Sequence, residues 1–459
     1  MPHLAILGGG PAGYVAAVRA RQLGAEVTLV EMDALGGTCL NRGCIPSKVL
    51  LKSAELIRQA QRLSEFGVEA EFRGVNWPQV IRRKGQVVSQ GVRGVAHLMK
   101  ENGVRVVAGR GRLADGKSIV VDTGEGEETI AADRLLIATG SVAARLALPG
   151  FDSPGVVTSA ELLDAEEIPG SLAIIGAGYV GAEFADIFEA AGAKVTIIEM
   201  LPRLLPGMDE EIAAELARAF RRRKIEMHFG ARVTEVARHD GKHAVRFTKD
   251  GAEHEAEADV VLSAVGRRPN TEDIGLEAAG IAMEGGGVKV NARMETDVPG
   301  VYAAGDVIGG VMLAHVASAE GKVAVANALG RRVEMDYRAI PSAVYTHPEV
   351  GSAGLAEAEA HERGIAVKVG RFFFRGAGKA RAEGEREGLV KIVADAESGK
   401  VLGGHICGPH ATDLVHELVL AIHLGATAEQ VGEMVHAHPT LTEPIMEAAE
   451  DVLGRAIHK

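Results

Sequence analysis

The sequence predicts an α/β fold with two doubly wound parallel sheets, followed by a C-terminal α+β domain. Its 459 residues suffice for about three domains of ordinary size. A strand, a glycine turn, a helix and a second strand open the chain, and the same order returns once further along. Beyond Asp336 the pattern changes to strands followed by helices, which is typical of an α+β domain.

Composition and charge are those of a globular protein with no polyanionic partner. Lys and Arg number 50 and Asp and Glu 62, so the net charge of −12 does not favour nucleic-acid binding. Three cysteines are too few for a disulfide-stapled secreted scaffold, and no apolar stretch reaches the roughly 18 residues of a membrane span. Glycine, with 58 residues, clusters between apolar runs, which predicts tight turns and loops that contact ligands. We therefore expect a cytoplasmic or organelle-matrix enzyme, with the cytoplasm as the preferred location, and no membrane span.

The first repeated unit begins with an apolar strand at Leu4 and continues with a helix over residues 14–23 and a strand over residues 27–30. The second unit begins at Leu172 and repeats the first at a constant offset of 168 residues, the distance from Gly8 to Gly176. Two βαβ nucleotide-binding units are therefore predicted. Five positions match in register: Gly8, Gly10, Gly13, Gly24 and Glu31 recur as Gly176, Gly178, Gly181, Gly192 and Glu199.

Each glycine run has the spacing of a dinucleotide fingerprint. The first glycine permits the tight turn, the second lets a pyrophosphate approach the helix N-terminus, and the third lets helix and strand pack closely. Glu31 and Glu199 each follow the last glycine by 18 residues, where a carboxylate can bind a ribose diol. An ordinary glycine turn is the alternative for either run. Glu199 would repel a 2′-phosphate, and the nearest cation is Arg203, so the second unit should prefer NAD to NADP.

The segments between and after the units carry weaker signals. Residues 51–100 are predicted to be mostly helical, and residues 104–108 and 118–121 alternate like antiparallel strands. A stretch with Pro and Gly at residues 148–155 marks the boundary before the second unit. Apolar runs over residues 135–140 and 301–306 each reach a glycine, which fits either a structural turn or a strand tip beside a ligand.

The C-terminal domain is predicted to form a sheet covered by helices. Its predicted strands are residues 343–345, 371–374 and 389–394, its hairpin turn is Ser398-Gly399, and its predicted helices are residues 413–424, 428–435 and 443–457.

Two of the three cysteines, Cys39 and Cys44, lie five positions apart at the predicted start of a helix. An iron–sulfur cluster held by cysteine alone needs four thiolates, and a zinc site needs further ligands, whereas no histidine follows before His97. We therefore expect no metal site; a reversible disulfide and two unpaired buried thiols are the remaining interpretations. A helix N-terminus and Lys48 would both stabilise a thiolate at Cys44. Cys407 is predicted to be a core thiol.

Together the glycine, cysteine and histidine motifs resemble those of the flavin disulfide reductases, the pyridine nucleotide-disulfide oxidoreductases, and among them the dihydrolipoamide dehydrogenases. The resemblance covers essentially the whole chain. Arg42 stands where many members carry Val, a difference to which we attach no functional consequence. The motifs are Gly8-Gly-Gly-Pro-Ala-Gly13, Gly37-Thr-Cys-Leu-Asn-Arg-Gly-Cys-Ile-Pro-Ser-Lys48, Gly176-Ala-Gly-Tyr-Val-Gly181, Ala303-Ala-Gly-Asp306 and His436-Ala-His-Pro-Thr-Leu-Thr-Glu443.

The resemblance implies that FAD binds to the first unit and NAD to the second. Residues 1–142 would form the FAD domain, residues 143–265 the NAD domain, residues 266–335 would complete the FAD domain, and residues 336–459 would form a homodimer interface. The implied cofactor-binding residues are Gly8, Gly10, Gly13, Glu31, Thr38, Lys48, Gly111, Ala138, Thr139, Gly140, Asp306 and Ala314 in the first group, and Gly176, Gly178, Gly181, Glu199, Val233 and Gly266 in the second.

The resemblance also implies catalytic roles. Cys39 would exchange with the substrate and Cys44 would face the flavin, while Lys48, paired with Glu183, would lie near the reactive flavin nitrogen. Thiol attack needs a base, for which His438 is the candidate, with Glu443 holding its ring. These two must straddle a turn because residues five apart do not share a helix face. Alternatively, Glu443 forms a capping box with Thr440 at the start of the helix. His436 is predicted to be structural in either case.

The implied reaction oxidises protein-bound dihydrolipoamide to lipoamide and reduces NAD. The partners would be the lipoyl domains and acyltransferase core of a 2-oxoacid dehydrogenase complex, and His438 of one subunit would serve Cys39 of the other. The alternatives are an NADP-dependent reductase of the glutathione- or mercuric-reductase type, a pyridine-nucleotide transhydrogenase, and an NAD-sensing or assembly subunit. Glu199 argues against the NADP-dependent reductase, and the cysteine pair argues against the transhydrogenase. The complete set of catalytic residues argues against a sensing or assembly subunit.

Overall fold

A computed structural model describes all 459 residues of the chain. The chain divides into two compact units. Unit 1 comprises Met1–Val49, Pro78–Ala144 and Gly266–Asp336, and unit 2 comprises Leu50–Trp77, Arg145–Val265 and Tyr337–Lys459. None of the helices combines the length and the apolar character that a bilayer crossing requires.

Helices and strands both occur throughout the first two thirds of the chain. Up to residue 144 they are β1 His3–Leu7, α1 Pro11–Gln22, β2 Glu26–Glu31, α2 Gly37–Arg42, α3 Cys44–Gln61, α4 Trp77–Glu101, β3 Arg105–Ala108, β4 Arg110–Asp115, β5 Ser118–Asp122, β6 Glu127–Ala131, β7 Arg134–Ile137 and β8 Ser141–Ala143. From there to residue 265 they are β9 Val156–Val157, α5 Ser159–Leu162, β10 Ser171–Ile175, α6 Tyr179–Ala191, β11 Lys194–Glu199, α7 Glu210–Arg222, β12 Glu226–Phe229, β13 Arg232–His239, β14 Lys242–Lys249, β15 Ala252–Ala258 and β16 Val260–Ser263.

From residue 266 to residue 336 the elements are β17 Arg267–Pro269, β18 Met283–Glu284, β19 Gly287–Val288, β20 Val301–Ala303 and α8 Ala314–Ala328. The remainder of the chain forms β21 Pro341–Val344, β22 Glu349–Gly354, α9 Glu357–Glu362, β23 Val367–Phe373, α10 Gly378–Glu383, β24 Leu389–Asp395, β25 Val401–Gly408, α11 Ala411–Leu424, α12 Ala428–Glu433 and α13 Glu443–Val452.

Unit 1 is built on a five-stranded parallel sheet in the order β20-β7-β1-β2-β3. Residues 4–7 of β1 are all buried, as expected of a parallel strand covered on both faces. Residues 104–108 were expected to be antiparallel, and this expectation is wrong, because Thr28 of β2 pairs with Arg105 in parallel. An apolar alternation does not encode strand direction, and the preceding helix α4 is the crossover that a parallel strand requires. Strands β4, β5 and β6 form a separate antiparallel sheet.

Unit 2 contains a second five-stranded parallel sheet in the order β12-β11-β10-β16-β9. Strands β10 and β11 repeat β1 and β2 at the predicted offset, since Ser171 corresponds to His3 and Lys194 to Glu26. This register confirms the predicted pair of doubly wound units. Strands β13, β14 and β15 form an antiparallel sheet beside it.

The C-terminal part of unit 2 is an antiparallel sheet in the order β21-β22-β25-β24-β23, covered by α11 and α13. Its strands followed by helices confirm the predicted α+β domain. The last helix is shorter than expected, because α13 ends at Val452 and Gly454 then adopts a left-handed φ of 70°. The expected helix over residues 51–100 is two helices, since α3 ends at Gln61 and α4 begins at Trp77.

Candidate active site

The first glycine run forms a tight cradle between β1 and α1. Gly8 has a φ of 108°, and a Cβ there would lie 2.3 Å from the Ala138 carbonyl oxygen. A Cβ at Gly13 would lie 1.8 Å from the Gly8 carbonyl oxygen, so neither position accepts a side chain. Gly10, the N-cap of α1, is different, because the nearest atom to its Cβ position is 3.8 Å away. The first and third glycines therefore serve the packing of the chain itself, and the second leaves room for a ligand.

Glu31 closes this cradle from the end of β2. Its Oε2 accepts a hydrogen bond from the Gly9 N–H at 2.7 Å, and its Oε1 accepts one from the Asp33 N–H at 2.8 Å. Burial raises the pKa of Glu31 above its usual 4.5, although the backbone N–H groups of Gly9 and Met32 act against the shift. The carboxylate keeps further lone pairs for a ribose diol.

The second glycine run, in unit 2, has the same geometry. A Cβ at Gly176 would lie 2.4 Å from the Ala264 carbonyl oxygen, one at Gly181 would lie 2.0 Å from the Gly176 carbonyl oxygen, and nothing lies within 4 Å of a Cβ at Gly178. Glu199 repeats the role of Glu31, because its two oxygens accept the N–H groups of Ala177 and Leu201, both at 2.7 Å. These two residues correspond to Gly9 and Asp33 of unit 1. The cradle fits an NAD ribose better than a 2′-phosphate, since a buried carboxylate occupies that position.

Asp306 is held by two residues that the sequence did not single out. Ser141 Oγ donates to Asp306 Oδ2 at 2.5 Å, and Arg267 donates to Ser141 Oγ and to the Ser141 carbonyl oxygen, both at 2.7 Å. Burial lowers the pKa of Arg267, and the charge of Asp306 opposes this shift. The only sequence signal was adjacency, because Ser141 follows Gly140 and Arg267 follows Gly266.

The other residues of the two predicted cofactor groups lie in strands, next to strand ends or in helices. In unit 1, Thr38 lies in α2, Gly111 in β4 and Ala314 at the start of α8, while Ala138, Thr139 and Gly140 follow β7 and Gly266 precedes β17. In unit 2, Val233 lies in β13 and is buried in the core. A Cβ at Gly111 would lie 2.5 Å from Leu7 Cδ1, so packing within the chain also requires a small residue there.

Cys39 and Cys44 form a disulfide. Cys39 lies in the short helix α2, Cys44 is the first residue of α3, and their Cα atoms are 4.6 Å apart. The alternative of two unpaired thiols is therefore wrong. Gly37, at the start of α2, packs so closely on the first cradle that a Cβ there would lie 2.7 Å from Gly10 Cα. The disulfide segment thus adjoins the open glycine of the first fingerprint.

Two charged residues predicted to act beside the disulfide lie in different units. Lys48 is in α3 in unit 1, where its Nζ lies 3.5 Å from Ser47 Oγ. Glu183 is buried on α6 in unit 2, and its Oε1 accepts a hydrogen bond from the Tyr345 N–H at 3.2 Å. The pairing of Lys48 with Glu183 stays a prediction.

His438 and Glu443 face each other across the turn before α13. His438 Nδ1 lies 2.7 Å from Glu443 Oε1, and Glu443 Oε2 accepts the Thr440 N–H at 2.9 Å. Glu443 therefore makes the bond expected of a catalytic pair. The capping box is only half formed, because Thr442 is the N-cap of α13 and the Thr440 hydroxyl donates to the Ala437 carbonyl oxygen instead. Burial raises the pKa of Glu443, but the hydrogen bonds from His438 and Thr440 outweigh it and hold this pKa below 4.5. His438 is 77% exposed, so its other ring nitrogen is accessible.

His436 of the last motif and Cys407 are both buried, as expected of structural residues. The His436 side chain is buried, with Nε2 at 2.9 Å from Glu417 Oε1 and Nδ1 at 2.8 Å from the Met434 carbonyl oxygen. Cys407 is fully buried on β25, and burial raises the pKa of its thiol well above the usual value of 9.0.

A chain with two dinucleotide cradles and a disulfide beside one of them has the architecture of a disulfide oxidoreductase that uses two nucleotide cofactors. Residues 2–321 match the family model described as pyridine nucleotide-disulphide oxidoreductase, and residues 340–449 match the dimerisation domain of the same family. The chain belongs to this family. Membership implies FAD and NAD as cofactors, and the two cradles fit them.

Named relatives and solved structures agree with the family. The chain is 44% identical to a dihydrolipoyl dehydrogenase of Haloferax volcanii, covering 99% of this chain and 97% of that protein. It is 43% identical to a dihydrolipoyl dehydrogenase of Bacillus subtilis, covering 99% and 98%. Among solved structures, LpdA from Mycobacterium tuberculosis has a TM-score of 0.91 at 29% identity, covering 98% of this chain and 99% of that one. The flavoprotein disulfide reductase RclA from Escherichia coli has a TM-score of 0.86 at 26% identity, covering 98% and 99%.

Proposed function

We propose that this chain oxidises protein-bound dihydrolipoamide to lipoamide and transfers the electron pair through FAD to NAD. The observation that carries the proposal is the Cys39–Cys44 disulfide on a segment that packs against Gly10 of the first cradle. A disulfide in that position is next to the place where a flavin dinucleotide would lie. The names of the relatives, at 40–44% identity over almost the full length, support dihydrolipoamide as the substrate.

The roles that we propose for the site residues follow the resemblance to the family. Glu31 would bind the ribose of FAD and Asp306 its ribitol chain, while Glu199 would bind the ribose of NAD. Ser141 and Arg267 would fix the orientation of Asp306. When bound, FAD supplies a two-electron acceptor that passes hydride to NAD.

The thiol chemistry needs only the two cysteines and a base. One substrate thiolate attacks Cys39 Sγ, so a substrate–Cys39 bond forms and the Cys39–Cys44 bond breaks, leaving Cys44 as a thiolate. The second substrate thiolate then attacks the substrate sulfur of that bond, which releases Cys39 and closes the lipoamide disulfide. The substrate loses two electrons and two protons, and the cysteine pair gains the electrons.

His438 would take the proton of the attacking thiol, because the thiol itself is a poor nucleophile near neutral pH. Glu443 orients the ring through Nδ1, which leaves Nε2 to face the substrate. We propose that this base acts on Cys39 of the other subunit in a homodimer, an arrangement supported by the matched dimerisation domain. The wider proposal places the enzyme in the cytoplasm as a component of a 2-oxoacid dehydrogenase complex, where lipoyl domains carry its substrate.

A paired assay tests the substrate and the nicotinamide cofactor together. We expect NAD reduction with dihydrolipoamide and little or no NADPH oxidation with glutathione disulfide. The variant Cys44→Ser should lose at least about a thousandfold in dihydrolipoamide-dependent NAD reduction, because no disulfide remains to accept electrons.

Cys407→Ala is the matched control, since it removes a buried thiol that belongs to no disulfide. It should retain the reaction in its folded fraction. Turnover only with NADPH and glutathione disulfide would overturn the proposal, as would an active Cys44→Ser protein.

A further inference from the structure

A basic cavity lies in the C-terminal part of unit 2, apart from the cysteine and histidine motifs. Its volume is about 660 Å³, and it opens beside the end of β23, the helix α10 and the last residues of the chain. Five of its six lining residues are basic in a chain whose net charge is −12. The lining consists of Arg375, Gly376, Arg381, Arg386, His458 and Lys459.

Two of the basic side chains are balanced by carboxylates of α13. His458 Nδ1 lies 2.5 Å from Glu447 Oε1, and Lys459 Nζ lies 2.6 Å from Asp451 Oδ1. These contacts hold both residues at the cavity, and each side chain has a carboxylate partner within the chain.

The three arginines of the cavity are not balanced in this way. Arg375, Arg381 and Arg386 form no ion pair, although glutamates are close to them in sequence. Each of those glutamates faces a cation elsewhere: Glu383 contacts Lys379 at 2.9 Å, Glu385 contacts Arg62 at 3.2 Å and His347 at 3.4 Å, and Glu387 contacts Arg222 at 2.5 Å.

Two of these arginines are nevertheless held in place. Arg381 Nε donates to the Arg375 carbonyl oxygen at 2.6 Å, and the Arg375 guanidinium lies 4.5 Å from the centre of the Phe373 ring. Neither contact neutralises a charge. The cavity therefore holds ordered guanidinium groups that repel one another until an anion enters.

We propose that this cavity binds a small multivalent oxyanion, with two or more phosphate or carboxylate groups. A guanidinium offers paired N–H donors that match the oxygens of either group, and the volume accommodates several such groups. None of the lining residues has a phenyl, phenol or indole ring, so the cavity offers none on which a nucleobase could stack. Charge, rather than the shape of an organic moiety, would select the ligand.

Calorimetric titration of the flavin-loaded enzyme with tripolyphosphate and, separately, with citrate tests this site. Saturating NAD is present throughout, so that the pyrophosphate position of the second cradle is occupied. We expect one binding site per chain, with an affinity that falls as salt is added. In the double variant Arg381→Gln/Arg386→Gln the affinity should fall by about tenfold or more. The matched control, Arg331→Gln/Arg332→Gln, removes the same charge from two exposed residues outside the cavity and should bind like the wild type.

Binding of tripolyphosphate alone would identify a phosphorylated ligand, and binding of both probes would identify a ligand class that includes polycarboxylates. Absence of binding by both probes, or equal weakening in the control variant, would overturn the proposal. The double variant should also retain dihydrolipoamide-dependent NAD reduction, which separates loss of this site from loss of the fold. Because the titration does not depend on the disulfide, its failure would leave the proposed enzymatic function untouched.

Discussion

At the residue scale, the buried ammonium group of Lys391 is surrounded by three carboxylates. The Lys391 ammonium, 4% exposed, lies 2.9 Å from Asp209 Oδ2, 2.8 Å from Glu357 Oε2 and 3.3 Å from Glu211 Oε2. Asp209 also caps α7, because its Oδ1 accepts the N–H groups of Glu211 and Ile212. Burial raises the pKa of Asp209, but His405 and Lys391 outweigh it and hold this pKa below 3.8.

Asp209→Asn should therefore destabilise the protein in a way that depends on pH. Asparagine keeps the cap but not the charge, and because two carboxylates still face Lys391, we expect a loss of about 2 kcal/mol at pH 7. A carboxyl with a lowered folded-state pKa stabilises the protein fully above its unfolded-state value, and this contribution disappears as the pH falls through the folded-state pKa. The difference between variant and wild type should be constant from pH 7 to pH 5 and shrink below about pH 3.8. Urea unfolding at each pH measures it.

Asp152→Asn is the control, since Asp152 is 91% exposed and pairs only with exposed Arg145. It should change the free energy of unfolding by no more than about 0.5 kcal/mol. A difference for Asp209→Asn that stayed the same at every pH would contradict the assignment.

Single residues differ in how far the sequence predicts their partners. The contact of His438 with Glu443 spans five positions, and a local turn is enough to suggest it. Asp209 and Lys391 are 182 positions apart, and Ser141 and Arg267 are 126 apart. No local pattern encodes such pairs, because the packing of distant elements creates them.

At the element scale, the second glycine run separates packing from ligand binding. Gly181→Ala places a Cβ 2.0 Å from the Gly176 carbonyl oxygen, so we expect a loss of about 3 kcal/mol or failure to fold. Gly178→Ala meets nothing within 4 Å and has a φ of −73°, which alanine adopts freely. It should keep the wild-type stability but raise the KM for NAD at least about tenfold, because its methyl group occupies the pyrophosphate position. Unfolding curves and NAD-dependent kinetics measure the two effects.

An unchanged KM for NAD in Gly178→Ala would exclude this cradle as the NAD site.

The periodic elements of the fold are predictable from the sequence, since the apolar runs of β1, β2, β10 and β11 and the glycines between them are local signals. The direction of β3 was not, because it depends on the crossover through α4. The end of α13 was also missed, because the apolar periodicity continues past Gly454, where the backbone has already left the helix.

At the scale of the whole molecule, the question is whether one active site needs two subunits. If His438 serves Cys39 of its partner, then inactive Cys44→Ser and inactive His438→Ala proteins should complement each other. Each heterodimer would contain one intact site, so an equal mixture after subunit exchange should recover about a quarter of the wild-type activity. NAD reduction with dihydrolipoamide measures the recovery, and differently tagged subunits establish the heterodimer content. Verified heterodimers without activity would place the whole site within a single chain.

The two carboxylates, Glu31 and Glu199, hold their oxygens against the backbone in nearly the same way, at 2.7–2.8 Å. FAD and NAD share an adenosine diphosphate half, so two such similar cradles would bind that common half without distinguishing the two molecules. The selection of FAD by one cradle and NAD by the other must then come from the residues that contact the remaining half of each molecule. Only in unit 1 does an atom lie within 4 Å of a Cβ placed on the middle glycine, and that atom, Gly37 Cα, belongs to the segment with the exchangeable sulfurs.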